Sequence, residues 1–246
     1  MMKPLTVSDL LTVWEQGMNQ SLLQKTLNLL ARACPELDPN AVAKLSIGER
    51  DARLLLLREW MFGSRLMNMA DCPQCSERLE WGTNIRDIRL QSLQPHHSSR
   101  EFSLELDDYS VRFRLPNSLD IAAVIANSPG QPDPAKILAD CILDSQCSGE
   151  DCKVEELPDK VIQALNQQME AEDPQADIRI RLNCPNCSHQ WGVRFDIVNY
   201  LWTEINHWAE RMLVDVHKLA RTYHWAEHDI LNMSPVRRQL YLGMVS

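Results

Sequence analysis

Glycine is scarce in this chain, at 8 of 246 residues. That leaves little of the backbone permissiveness that phosphate-cradling loops require. No G-x-x-x-x-G-K-[ST] loop, G-x-S-x-G elbow or paired-carboxylate catalytic motif occurs, and no enzymatic activity is expected. Long apolar runs are missing as well: none reaches the roughly 18 residues that span a bilayer. The opening MMKPLTVSDLL lacks the charged-then-apolar build of a secretory leader. A cytoplasmic protein without membrane contact is expected. Basic clusters are absent too, the longest being Arg237-Arg238, and 34 acidic against 25 basic side chains give a net charge of −9. Such a chain repels phosphate backbones unless its cations gather on one face. A protein partner is therefore expected rather than nucleic acid.

What is present is an ordinary globular composition, 44% apolar and 24% charged, in a chain long enough for one large domain or two small ones. Eight cysteines are too few for a disulfide-dense scaffold, and the compartment reads as reducing. Four of them form two tight pairs, Cys72-Pro73-Gln74-Cys75 and Cys184-Pro185-Asn186-Cys187. Cys34, Cys141, Cys147 and Cys152 share no motif spacing and read as small buried apolar residues or exposed thiols.

The first seventy residues read as helices. Ser8 is the expected N-cap of a helix over 9–16, and Ser21 of a second that ends at Cys34-Pro35. Asp38-Pro39 opens a short helical turn, and Ser46-Ile47-Gly48-Glu49 has the form of a capping box. The helix over 47–62 stops at Gly63, an αL-type C-cap signal. After the first cysteine pair, Leu79 and Trp81 alternate with polar residues as in a strand. Phe102, Leu104 and Leu106, then Val111, Phe113 and Leu115, alternate about Asp107-Asp108 and predict a hairpin. Asn117 or Ser118 starts a further helix, 128–134 reads as a loop, and 135–143 and 158–169 as helices; the acidic stretch 148–159 between these last two reads as solvent-facing. Strands over Ile178–Leu182 and Trp191–Phe195 frame the second cysteine pair. Ile197, Leu201, Ile205, Trp208, Met212, Val216 and Leu219 then step by 4, 4, 3, 4, 4 and 3 along a long amphipathic helix. Ser234-Pro235 caps a final one.

A Cys-x-x-Cys turn places two thiolates on one side of an ion, and zinc takes four such ligands in a tetrahedron. Proline after the first cysteine presets φ in each turn. Cys72, Cys75, Cys184 and Cys187 are thus the candidate ligands of one structural zinc per chain. Cys75 and Cys184 lie 109 positions apart. Closing such a loop costs roughly 4 kcal/mol, against ~10–16 kcal/mol of apparent stabilisation by structural zinc in peptides. Three alternatives stay open: a redox dithiol, two separate sites using His189 or other ligands, and a site without its metal.

His224-Trp225-Ala226-Glu227-His228 matches H-x-x-E-H, which on a helix would put both imidazoles on one face with Glu227 as a base. No Glu or His follows His228 to supply a third ligand. A polar helix face with Trp225 buried is the plainer expectation. His96 and His97 fall in a polar loop, and His207 and His217 lie beside the long helix's apolar stripe, all read as solvated or satisfied.

Several segments in order carry a family resemblance. Arg50-Asp51-Ala52-Arg53-Leu54-Leu55-Leu56-Leu57-Arg58-Glu59, then Phe62-Gly63 and Cys72-Pro73-Gln74-Cys75, then Asp87-Ile88 and Val111-Arg112-Phe113-Arg114-Leu115-Pro116, resemble the T4-type baseplate hub assembly chaperone family. Tyr223-His224-Trp225-Ala226-Glu227-His228-Asp229-Ile230-Leu231-Asn232-Met233-Ser234-Pro235 resembles the ending of tail-cluster proteins, with His224 where glycine is usual. The resemblance implies an assembly chaperone or accessory protein for the baseplate or hub of a contractile phage tail or injection system, with tail, baseplate or hub subunits as partners. A zinc-ribbon nucleic-acid-binding or regulatory module is the alternative, with Arg179, Arg181 and Arg194 as its small basic face. The expected fold is α+β, mainly helical, with a split four-cysteine zinc ribbon and an inserted β-hairpin. Its parts are an N-terminal helical region 1–70, ribbon halves 71–84 and 178–196, an insertion 85–177 and C-terminal helices 197–246.

Overall fold

The structure is a computed structural model that describes residues 2–90, 100–127 and 134–245. His96, His97 and most of the loop expected over 128–134 lie outside the described residues. The chain divides into two compact units, one of residues 1–36 and 197–246 and one of residues 37–196.

The first unit is helical. Helix α1 (Val7–Gly17) starts two residues earlier than expected from Ser8. Thr6 is its N-cap, accepting from the Asp9 N–H while the Asp9 carboxylate accepts in return. Helix α2 (Leu22–Ala33) is capped by Ser21 and closes at Cys34, as the sequence indicates. The Arg32 guanidinium pairs with Asp9. The long helix α9 (Ile197–Tyr223) buries its apolar stripe, with Trp208 only half-buried and Ala209 taking the inner position beside it. Leu11 packs on Ala209 and Met212. The two indoles that enter this layer keep their N–H groups satisfied: Trp14 donates to Asn206 Oδ1 at 3.0 Å and Trp202 to Thr26 Oγ1 at 2.9 Å. Two short helices follow, α10 (Glu227–Leu231) and α11 (Pro235–Leu242), the latter capped by Ser234 with proline in its first turn.

The second unit begins with α3 (Pro39–Ala43) and α4 (Ile47–Phe62). Ser46 accepts from the Glu49 N–H, but the Glu49 carboxylate pairs with Arg53 at 2.8 Å instead of completing a capping box. Gly48 approaches Asp173 so closely that a Cβ would lie 1.9 Å from Oδ1, and its N–H donates to Asp173 Oδ2 at 2.9 Å. Gly63 ends α4 with φ +89° and ψ −177°. This is a glycine-only extended conformation rather than the expected αL cap, and Arg58 donates to its carbonyl at 2.6 Å.

Strand β1 (Arg65–Asp71) occupies the end of the region expected to be helical and pairs antiparallel with β2 (Arg78–Asn84). Its alternation is masked because Met67 and Met69 are apolar yet exposed. A short helix α5 (Ile85–Ile88) follows. Gln175 ties this segment to 174–176, donating to the Ile88 carbonyl and accepting from the Leu90 N–H.

The expected hairpin, β3 (Glu101–Leu106) and β4 (Tyr109–Arg114), forms, with Asp107 at φ +52° in its turn. It is half of a larger sheet. Helices α6 (Ser118–Asn127) and α7 (Pro134–Cys141) lead to β5 (Ile142–Cys147) and β6 (Glu150–Asp151), giving the order β3-β4-β5-β6. The helix expected over 135–143 therefore turns into strand at Ile142. The acidic stretch after it holds β6, and Leu157 within it is buried. Phe102, Val111, Phe113 and Leu115 pack with Val161, Leu165 and Met169 of α8 (Asp159–Glu172) to form a hydrophobic core beneath the sheet. The second cysteine hairpin is β7 (Arg179–Asn183) with β8 (Gln190–Arg194). The fold is α+β and mainly helical, with small antiparallel hairpins. Among the described residues no helix is long and apolar enough to cross a membrane.

Candidate metal centre

The two cysteine turns are built alike. In the first, the ladder of β1 and β2 ends at Asp71 opposite Arg78. Beyond it the Cys72 N–H donates to the Glu77 carbonyl at 2.8 Å and the Ser76 N–H to the Cys72 carbonyl at 2.9 Å. In the second, the ladder ends at Asn183 opposite Gln190. Cys184 then donates to the His189 carbonyl and Ser188 to the Cys184 carbonyl, both at 2.9 Å. Ser76 and Ser188, each directly after a second cysteine, take φ of 58° and 59°. The left-handed residue curls each turn back so that both of its thiols face one side.

All four Sγ atoms of Cys72, Cys75, Cys184 and Cys187 lie within 4.8 Å of one another. Between the turns, the first cysteine of each approaches the second of the other: Cys72 to Cys187 is 3.7 Å and Cys75 to Cys184 is 3.6 Å. A Zn–S bond of about 2.3 Å in a tetrahedron sets S···S at about 3.8 Å. The observed pairs match that edge length, and they are far longer than the ~2.05 Å of a disulfide. Cys72 and Cys184 are buried, and Cys75 and Cys187 half-buried.

Electrostatics make the thiols unequal. Burial raises Cys184, but N–H groups of Cys187 and Asn186 and the Cys75 and Cys187 thiols outweigh it and bring it down to about 7. For Cys187 the His189 N–H is a lowering influence, yet burial and the Cys75, Cys184 and Cys72 thiols lift it to about 12. Charge on the Cys184 thiolate opposes ionisation of Cys187, an opposition that a cation between them would offset.

Two amides that sequence reasoning passed over complete the pattern. Asn186 Nδ2 lies 3.7 Å from Cys75 Sγ, and Gln74 Oε1 lies 3.9 Å from Cys187 Sγ. Each amide belongs to the residue between proline and the second cysteine of one turn, and each reaches the second cysteine of the other. Rotating the Gln74 amide would present its N–H groups to a thiolate. The shared position in C-P-x-C was the signal, legible only once the turns are seen to face one another.

Among the described residues these four cysteines are the one metal-capable group of His, Cys, Asp and Glu side chains. His189 instead stacks on Trp191 at 5.8 Å between ring centroids. The H-x-x-E-H helix does not form. Helix α9 ends at Tyr223, His224 takes φ +57°, and α10 starts only at Glu227, so His224 and His228 share no helix face. The break is stabilised by half-buried Trp225, which stacks on Tyr223 at 4.5 Å and meets Tyr241 edge-on at 4.8 Å. His228 is exposed and contacts Asn232, and His207 and His217 are exposed. Of the remaining cysteines, Cys34 and Cys141 are buried, and burial followed by the Asp120 charge pushes the Cys141 thiol up to about 12. Cys147 and Cys152 are half-buried.

Four thiols at the corners of a tetrahedron leave no position for water or substrate, so the arrangement suits a structural ion and not a Lewis-acid catalyst. A family model described as T4 bacteriophage base plate protein matches residues 2–202, which include both cysteine turns. The Tyr223-to-Pro235 stretch lies beyond that match. Comparison with curated proteins and with solved structures gives no match. The match covers more than half of the chain, from helix α1 through both cysteine hairpins into α9, and the chain belongs to the T4 bacteriophage base plate protein family.

Proposed function

We propose that this chain is a non-enzymatic assembly chaperone or accessory protein for the baseplate or hub of a contractile tail, held by one structural zinc on Cys72, Cys75, Cys184 and Cys187. The observation that carries the zinc is the convergence of four thiols at tetrahedral spacing from turns 109 positions apart. In this reading the ion joins ribbon halves 71–84 and 178–196, and residues 85–177 are an insertion between them. Baseplate membership comes from the family match, and the chaperone role is supported by the resemblance of α4 and the turn that follows it.

The nucleic-acid alternative gains nothing from the site. Arg179 and Arg194 face one another across β7 and β8 and both pair with Asp177, at 2.6 and 3.0 Å, which offsets the basic face they would need.

Elemental analysis of the purified chain is expected to give one zinc per chain, lost in Cys72→Ser and in Cys184→Ser; two zincs per chain would refute the shared site. Co-expression with tail subunits is expected to capture a baseplate or hub subunit. Its release before the particle is complete marks a chaperone, and stoichiometric retention in finished particles marks a baseplate component instead.

A further inference from the structure

Four thiolates around one divalent ion carry two negative charges in excess, which neighbouring hydrogen-bond donors must offset. The second turn supplies backbone donors unevenly. Cys184 receives the N–H groups of Cys187 and Asn186, whereas Cys187 receives that of His189. Exposure runs the same way, with Cys72 and Cys184 buried and Cys75 and Cys187 half-buried. The second cysteine of each turn is therefore its more exposed sulfur.

Each of these two sulfurs has a side-chain amide of the opposite turn beside it. Asn186 Nδ2 is 3.7 Å from Cys75 Sγ, and Gln74 Oε1 is 3.9 Å from Cys187 Sγ. An amide suits such a place because it carries a donor and an acceptor on one rotor. Its oxygen accepts from a protonated thiol, and a half-turn about the last side-chain bond offers N–H to a thiolate instead. Gln74 stands in the first state beside Cys187, and Asn186 in the second beside Cys75. A carboxylate in either place would repel the sulfur's charge, and an aliphatic side chain would leave it unopposed.

We infer that Gln74 and Asn186 are positioning residues of the zinc site, each donating an amide N–H across to the half-buried thiolate of the opposite turn. Gln74 serves Cys187 and Asn186 serves Cys75. The inference rests on the four-cysteine zinc reading. It joins the two turns by a reciprocal pair of hydrogen bonds in addition to the shared ion. Donation also draws electron density from each sulfur and stabilises its lone pairs. Both amides are exposed, so water competes for them and the effect is moderate.

The test titrates cobalt(II), whose sulfur-to-metal charge-transfer band reports thiolate ligation, into the full chain and its variants, then displaces it with zinc. Wild type is expected to take up one cobalt per chain. Gln74→Leu and Asn186→Leu should each move the band to longer wavelength, because an unbonded sulfur gives up an electron more readily. Each should also weaken zinc binding on the order of tenfold. The isosteric Gln74→Glu and Asn186→Asp should weaken it further, while Asn186→Gln, which keeps the donor, should retain the wild-type band. Leucine variants with unchanged band and affinity overturn the inference, as do carboxylate variants that bind zinc as tightly as wild type. Lost affinity with an unmoved band also overturns it, since packing alone would do that. A wild-type chain that takes up no cobalt overturns the zinc reading and this inference with it. Full cobalt uptake with the band unmoved in every variant overturns the inference alone.

Discussion

The cysteine hairpins and the four-stranded sheet belong to the same unit but are held in different ways. In β3 to β6, Phe102, Val111 and Phe113 are buried and pack with Val161 and Leu165 of α8. In β1, β2, β7 and β8, only Leu66 is buried, and the other inward residues are only partly buried. A two-stranded hairpin with so little apolar burial is marginal in water. The sheet draws its stability from an apolar core, whereas the hairpins converge on four thiols. Hydrophobic burial grows with the number of side chains enclosed, whereas a single ion held by four thiolates would organise two short hairpins at once.

This contrast can be broken by experiment. Removing the metal with a chelator, or by Cys184→Ser, should have the largest effect, a loss on the order of 5 kcal/mol or more. Amide exchange should rise first in the β1–β2 and β7–β8 ladders, with the β3–β4 amides still protected. Equal loss in both regions would show that the hairpins and the sheet are one cooperative structure. Phe113→Ala should cost about 3–5 kcal/mol, seen in denaturant unfolding, while zinc content stays at one per chain. If the zinc is lost as well, the metal site depends on the sheet's core.

The smallest expected effect sharpens the comparison at the turns. Ser188→Gly and Ser76→Gly relieve a left-handed residue at φ near +59° and should be neutral or stabilising by less than about 1 kcal/mol. Zinc competition with a chromophoric chelator would detect the change. A weaker affinity in either variant would mean that the serine hydroxyl contributes to the site.

Much of this architecture was legible in the sequence. The caps at Ser21, Ser46 and Ser234, the stripe of α9 and the alternation of β3, β4, β7 and β8 are local patterns, and each formed where expected. Strand β1 was not legible, because exposed Met67 and Met69 erase the polar half of its alternation. Strand β5 was hidden behind the continuous pattern from Pro134, where α7 gives way to strand without a breaker. The H-x-x-E-H segment misled for the opposite reason. Its spacing is helical, but aromatic packing of Tyr223, Trp225 and Tyr241 favours a break at His224.

By itself the sequence determined the local chemistry: two C-P-x-C turns, each feeding a strand, an acidic chain with few glycines, and the amphipathic helices around them. These follow from neighbours within a few residues, where spacing and side-chain type dictate geometry. Only the tertiary structure decided that the first thiol of each turn faces the second thiol of the other. It also decided that Gln74 and Asn186 reach across between turns, and that Arg238 is buried with its Nε and Nη1 unbonded. Those facts depend on chain closure over long separations and on what each packed surface excludes from water, and no local pattern encodes either.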